Sequence, residues 1–210
     1  AFGEILKLDA GSLPPAEIAE MGQIICDSGR RLERLLENFL IYAQLELLST
    51  DAEKINTLRG KQTRLPAGVI EAHAHRQAEL VGRAADLDFQ LTDIPVPMSE
   101  DYLGKVVDEL MQNALKFSAA GQRVRVALAE TLEEFTLTVK DQGRGFSAGH
   151  IPQVGAYMQF DRKLHEQQGL GLGLSIARRL TELHGGTLAI QSEIGVGTTV
   201  RVRLPKAPAG

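Results

Sequence analysis

From Ala16 to about Leu48 the chain carries Ile18, Met21, Ile25, Leu32, Leu35, Leu36, Phe39 and Leu40 at helical spacing, with Glu, Arg and Asp between them. Only Gly22 and Gly29 interrupt a run that predicts one helix of about 30 residues. A helix that long with a single apolar stripe must bury the stripe, and the short segment before it, residues 1 to 8, is too small to do so. The stripe therefore predicts packing on another helix or another chain, with dimerisation through a helical bundle as the natural outcome. One long helix lying across its own domain is the alternative.

The other 160 or so residues need a core of their own. Asp9 to Pro15 is a turn by composition, and residues 50 to 65 lose the periodicity and read as a linker. Helices follow at about 67 to 83 and Ser99 to Phe117, with a short strand near Leu87 to Leu91 between them. Arg123 to Leu128 and Phe135 to Lys140 alternate as strands around a hairpin turn at Glu133-Glu134. After a Gly- and Gln-rich loop over roughly 142 to 170, a helix runs to His184-Gly185-Gly186, and two strands close the chain at 187 to 192 and 198 to 204. Helices and strands mix without strict alternation, which predicts an α+β sandwich, one sheet with helices on one face.

Composition narrows the function. A formal net charge of −4 argues against a broad nucleic-acid face but leaves room for a local cationic pocket. A single cysteine, Cys26, excludes an internal disulfide or a cysteine-built zinc site, and its helical spacing predicts a packed thiol. No apolar run is long enough to span a membrane and no signal peptide is visible, so a soluble segment in a reducing compartment is expected.

Four motifs carry chemistry. In VVDELMQNALKFS, Glu109, Asn113 and Lys116 share one helix face, opposite an apolar stripe of Leu103, Val106, Val107, Leu110 and Ala114. An acid, an amide and an amine so aligned can supply a base, an oxygen ligand for magnesium and a charge facing phosphate; a solvated helix face with a polar pair is the plainer reading. In VKDQGRGF, Asp141 ends a strand ahead of Gly143 and Gly145, where a carboxylate can accept from an exocyclic amine and glycines admit a flat ligand. In QQGLGLGLSIARRL, Gly169, Gly171 and Gly173 alternate with leucine before a helix, a pattern that is neither a Walker loop nor a dinucleotide fingerprint but bares amides for an anion. SEIGVGTT reads as a hairpin turn with a hydroxyl just inside the next strand.

The series ELMQNALKFS, DQGRGF, QFDR, GLGLGLS and GVGTT, in that order, resembles the ATP-binding domain of sensor histidine kinases, in the superfamily shared with gyrase, a heat-shock chaperone and mismatch-repair ATPases. The resemblance covers roughly residues 64 to 204. It implies that Asn113 binds magnesium, Glu109 assists transfer or orders the metal's water, and Lys116 meets the phosphates. Asp141 would accept the adenine amino group with Thr198 nearby, Phe117 would pack on the base, and Gly143 and Gly145 would shape its pocket. Gly169, Gly171 and Gly173 would cradle the triphosphate, and residues 146 to 168 would form a lid in which Phe160 grips the body and Arg162 reaches the γ-phosphate. The long helix looks like the second helix of a dimerisation and phosphotransfer hairpin, with Ala1 to Leu8 as the tail of its first. The implied organisation is a hairpin over 1–50, a linker over 51–64 and an ATP-binding domain over 65–205.

One departure matters. The acceptor histidine of such kinases lies in a motif on the first helix, and none of the five histidines, at 73, 75, 150, 165 and 184, has that context; all five read as structural or exposed. The expectation is an ATP- and Mg2+-dependent protein-histidine kinase core, homodimeric and cytoplasmic, whose acceptor lies upstream of Ala1 and whose phosphoryl group passes to a response regulator. Its rivals are an ATP hydrolase, with Glu109 activating water, and a non-catalytic ATP-binding scaffold.

Overall fold

A computed structural model describes residues 2–9, 11–146 and 172–206. It divides into two compact units, Ala1–Ala43 and Gln44–Gly210. The first holds helix α1, Phe2–Asp9, and most of α2, Pro15–Ser49. Leu32, Leu35, Leu36, Phe39 and Leu40 stand 48 to 60% exposed along α2, so this part of the stripe legible in the sequence stays exposed among the described residues. Cys26 also stands exposed, which corrects the expectation of a packed thiol. No helix among the described residues is long and apolar enough to cross a membrane.

The second unit is an α+β sandwich. Its elements are α3 (Ala52–Arg59), α4 (Pro66–Glu79), β1 (Leu87–Gln90), α5 (Glu100–Phe117), β2 (Val124–Glu130), β3 (Glu134–Lys140), α6 (Leu172–Leu183), β4 (Thr187–Glu193) and β5 (Gly197–Pro205). The mixed sheet runs β1-β2-β3-β5-β4, with β1 parallel to β2 and every other pair antiparallel. A parallel pair needs a crossover, and α5 supplies it. Alternate strand residues, among them Val124, Val126, Leu137, Val139, Ile190, Val200 and Val202, are buried, while their neighbours Arg125, Lys140 and Arg203 are exposed or half-buried. One apolar sheet face is thus covered by α4, α5 and α6, as the period of two demands.

Residues 52–59, read from the sequence as linker, are helical. Asp51 caps α3 by accepting the Lys54 amide at 3.1 Å, Leu58 is buried, and the Arg59 Nε donates to the Leu183 carbonyl at the end of α6 at 2.7 Å. Thr63 is also fully buried, exchanging backbone hydrogen bonds with Val96 and donating its hydroxyl to the Met98 carbonyl. The stretch is an integral part of the second unit.

Helix α5 starts after Ser99 with Glu100 and Asp101 in its first turn, where the positive end of the helix dipole favours acids. It packs on α4 on one flank and α6 on the other. On the α4 side, buried Asp108 accepts from Arg76 Nη2 at 2.6 Å and Gln77 Nε2 at 2.8 Å, and its Oδ2 lies 3.0 Å from His73 Nδ1. Gly104 makes room for the His73 ring, since a Cβ there would lie 2.4 Å from it. Removing this carboxylate leaves the buried Gln77 amide without its acceptor and takes the partner from Arg76 and His73, so Asp108→Ala is expected to lower stability by about 2 to 3 kcal/mol, read as a fall in the urea midpoint at unchanged m.

Candidate functional site

The sheet's covered face opens a cavity between α5, the strand ends and the start of α6. Its walls include Asn113 and Phe117 from α5, Asp141 at the end of β3, Leu174 from α6 and Thr198 from β5. Four of the residues singled out from the sequence, Asn113, Phe117, Asp141 and Thr198, therefore meet in one place. Apolar walls with a few convergent polar groups are the usual make-up of a small-ligand site.

Asp141 is 5% exposed. Its Oδ1 accepts the Gly143 amide at 2.8 Å and the Thr198 amide at 3.3 Å, and its own amide donates to the Thr198 carbonyl at 2.9 Å. Those bonds fix the carboxylate plane, and among the described residues Oδ2 has no hydrogen bond. Burial pushes the Asp141 carboxyl above the ordinary aspartate value, with the Gly143 and Thr198 amides acting in the opposite sense. A buried, oriented acceptor of this kind favours an N–H donor on a ligand.

The loop after Asp141 is held by backbone contact. A Cβ at Gly143 would lie 2.1 Å from the Phe117 carbonyl oxygen, and one at Gly145, whose φ is +59°, would lie 1.9 Å from the Glu193 carbonyl oxygen. These glycines let the loop lie directly on the end of α5 and on β4. The Phe146 amide donates to Ser192 Oγ at 2.9 Å, and Ser192 Oγ lies 2.9 Å from Thr198 Oγ1, tying the loop to the β4–β5 hairpin.

Glu109 stands one turn before Asn113 and is 3% exposed, so at this position the polar flank of α5 is not solvated. The Lys105 ammonium lies 2.5 Å from its Oε1. Gly173, in the first turn of α6, faces its other oxygen: a Cβ there would lie 1.9 Å from Oε2. The sequence offers Gly173 as part of an anion cradle, and the structure adds a reason of its own, the close approach of α6 to this carboxylate. Lys116 is exposed at the last turn of α5, with Nζ 5.4 Å from the Phe117 ring centroid. Arg162, Gly169 and Gly171, with Phe160 and the rest of the expected lid after Phe146, lie outside the described residues.

Sequence reasoning missed Lys105, Leu174 and Phe146. Lys105 was legible as the i−4 partner of Glu109 and Phe146 as the residue closing DQGRGF, whereas Leu174 enters only through the packing of α6 on α5. Of the histidines, His73 pairs with Asp108 as above. His184 is buried, its Nδ1 2.7 Å from the Leu180 carbonyl oxygen, and burial lowers its pKa. Neither lines the cavity.

This chain belongs to the family of histidine kinase-, DNA gyrase B- and HSP90-like ATPases, whose pattern its residues 98–208 match. It is 30% identical over 203 residues to the sensor protein SrrB of Staphylococcus aureus (strain NCTC 8325 / PS 47), a match covering 91% of this chain and 32% of that protein. The chain thus spans about a third of the length of such relatives. Among solved structures, the mycobacterial sensor histidine kinase MprB superposes with a TM-score of 0.57 at 26% identity over 71% of this chain and 100% of its own. The Acinetobacter baumannii histidine kinase AdeS superposes with a TM-score of 0.67 at 17% identity, covering 97% of this chain and 91% of its own, a likeness of fold.

Proposed function

We propose that this chain is the catalytic core of a two-component sensor histidine kinase, passing the γ-phosphoryl group of ATP to a histidine and thence to a response-regulator aspartate. The observation that carries this reading is Asp141, a buried carboxylate whose Oδ1 is locked by the Gly143 and Thr198 amides in a cavity shared with Asn113 and Phe117. Asp141 Oδ2 takes the adenine amino group, Phe117 stacks on the base, and Thr198 closes the far edge. Lys116, and from the undescribed segment Arg162, Gly169 and Gly171, meet the phosphates together with Gly173 at the start of α6.

Asn113 suits Mg2+, with Glu109 placed to order the metal's water. The Asn113 amide offers one hard oxygen donor a turn after the Glu109 carboxylate, and no cluster of three His, Cys, Asp or Glu side chains exists among the described residues to hold a metal by protein ligands alone. Magnesium characteristically takes one or two protein oxygens and completes its shell with phosphate and water. Bound there it would neutralise charge developing on the phosphoryl oxygens. This chain's residues orient the nucleotide: Asp141 and Phe117 hold the base, Asn113 directs the phosphate end, and Glu109, steadied by Lys105, accepts a proton from the attacking group or its water. Positioning and charge neutralisation are the main resources of phosphoryl transfer.

The domain organisation follows the same reading, with a dimerising hairpin over about 1–50, a connecting stretch over 51–64 and the ATP-binding domain over 65–205. The exposed stripe from Leu32 to Leu40 supports a homodimer. The test is to join this chain to the segment preceding it in its parent protein and follow label from γ-labelled ATP. Acid-labile phosphoprotein is expected. Release of free phosphate alone would instead establish a hydrolase, and neither product would leave an ATP-binding scaffold.

A further inference from the structure

Arg144 lies between the two glycines of DQGRGF and belongs to none of the roles assigned above. Its main chain is pinned on both sides: its amide donates to the Phe117 carbonyl at 3.1 Å, and its own carbonyl accepts the Gly195 amide at 2.8 Å. Its side chain is exposed, yet the guanidinium carbon lies 5.1 Å from the Phe117 ring centroid, within reach of the ring's negative face. Phe117 lines the cavity, and Arg144 is not among its lining residues.

We propose that Arg144 is a positioning residue for nucleotide binding, holding the Phe117 ring in the orientation in which it stacks on the base. Phe117 is the last residue of α5 and only half-buried, so the orientation of its ring depends on the groups placed over it, Arg144 at 5.1 Å and Lys116 Nζ at 5.4 Å from the centroid. A guanidinium held over the ring limits its turning before the ligand arrives, and a binding surface ordered in advance loses less entropy on association. This rests on the reading of Phe117 as the base-stacking residue. It assigns Arg144 to the base rather than the phosphates, although arginine is a habitual phosphate ligand.

The test uses the whole chain and two ligands, ATP with Mg2+ and adenosine, each measured by displacement of a fluorescent ADP analogue. Arg144→Met is expected to weaken both by the same factor, about two- to fivefold, the worth of an exposed cation–π contact. Arg144→Lys should restore most of the loss, and in a Phe117→Leu background Arg144→Met should change nothing. A loss seen with ATP but not adenosine, or one that persists without the Phe117 ring, would make Arg144 a phosphate ligand and overturn the proposal. So would unchanged affinities in Arg144→Met while Asp141→Asn abolishes binding, an outcome that leaves the ATP site intact. If Asp141→Asn also binds normally, the site reading and this proposal fail together.

Discussion

Asp141→Asn is expected to weaken ATP binding by about 10- to 100-fold while the protein stays folded and becomes no less stable. The affinity loss follows from donor and acceptor count. The Gly143 and Thr198 amides already occupy Oδ1, so the asparagine carbonyl must take that position and its NH2 group replaces Oδ2. An adenine amino group would then meet a donor, exchanging a hydrogen bond to a charged group, worth about 1.5 to 3 kcal/mol, for a repulsive contact. Calorimetric titration of ATP into the variant reads this directly.

Stability moves the other way because the Asp141 carboxyl titrates above its ordinary value, 3.8, in the folded chain. The native state then holds this proton more tightly than the unfolded chain does. The group's contribution to folding is largest below pH 3.8 and declines as the pH rises through the native pKa. At neutral pH the parent carries a buried charge and the asparagine variant does not. Its melting temperature should therefore match or exceed the parent's at pH 7.5, with the difference shrinking towards pH 4. ATP affinity in the parent should fall as the pH drops through the same raised pKa, since the proton and the adenine amine compete for one oxygen. A variant that loses affinity and stability together would mean that Asp141 holds the fold rather than a ligand.

The sequence carried the strands and the long helices well, because alternation along β2, β3 and β5 and the 3.6-residue stripe of α2 are properties of neighbours in the chain. It carried the burial of α5 badly. Periodicity marks Leu103, Val106, Val107 and Leu110 as inward and leaves Asp108 and Glu109 on a polar flank, yet both are buried because α4 and α6 close on α5 from two sides. Only the folded arrangement shows that Asp108 is a clamp for α4 and that Glu109 lies between Lys105 and the first turn of α6. Helix α3 hides for a different reason. It has little apolar face, and its start is signalled by the cap at Asp51 rather than by periodicity.

The same distinction separates glycines that merely bend the chain from those the pocket is built on, and it sets the second large effect. Gly145 and Gly195 both have positive φ, +59° and +78°, so alanine at either costs about 1 to 2 kcal/mol of backbone strain. Around Gly195 a Cβ would meet nothing within 4 Å, and Gly195→Ala should cost no more than that. At Gly145 the Cβ would lie 1.9 Å from the Glu193 carbonyl oxygen, which belongs to β4 and cannot swing aside as a side chain could. The loop from Asp141 to Phe146 must lift off the hairpin, adding about 1 to 3 kcal/mol of overpacking and breaking the bond from the Phe146 amide to Ser192. Gly145→Ala is thus expected to cost about 2 to 5 kcal/mol in chemical denaturation and to weaken ATP binding at least tenfold where the protein remains folded, because the displaced loop carries both the Gly143 amide that orients Asp141 and the backbone of Arg144. Equal, small losses in the two alanine variants would show that the contact at Glu193 yields freely and that the close fit of this loop is not what holds the carboxylate in place.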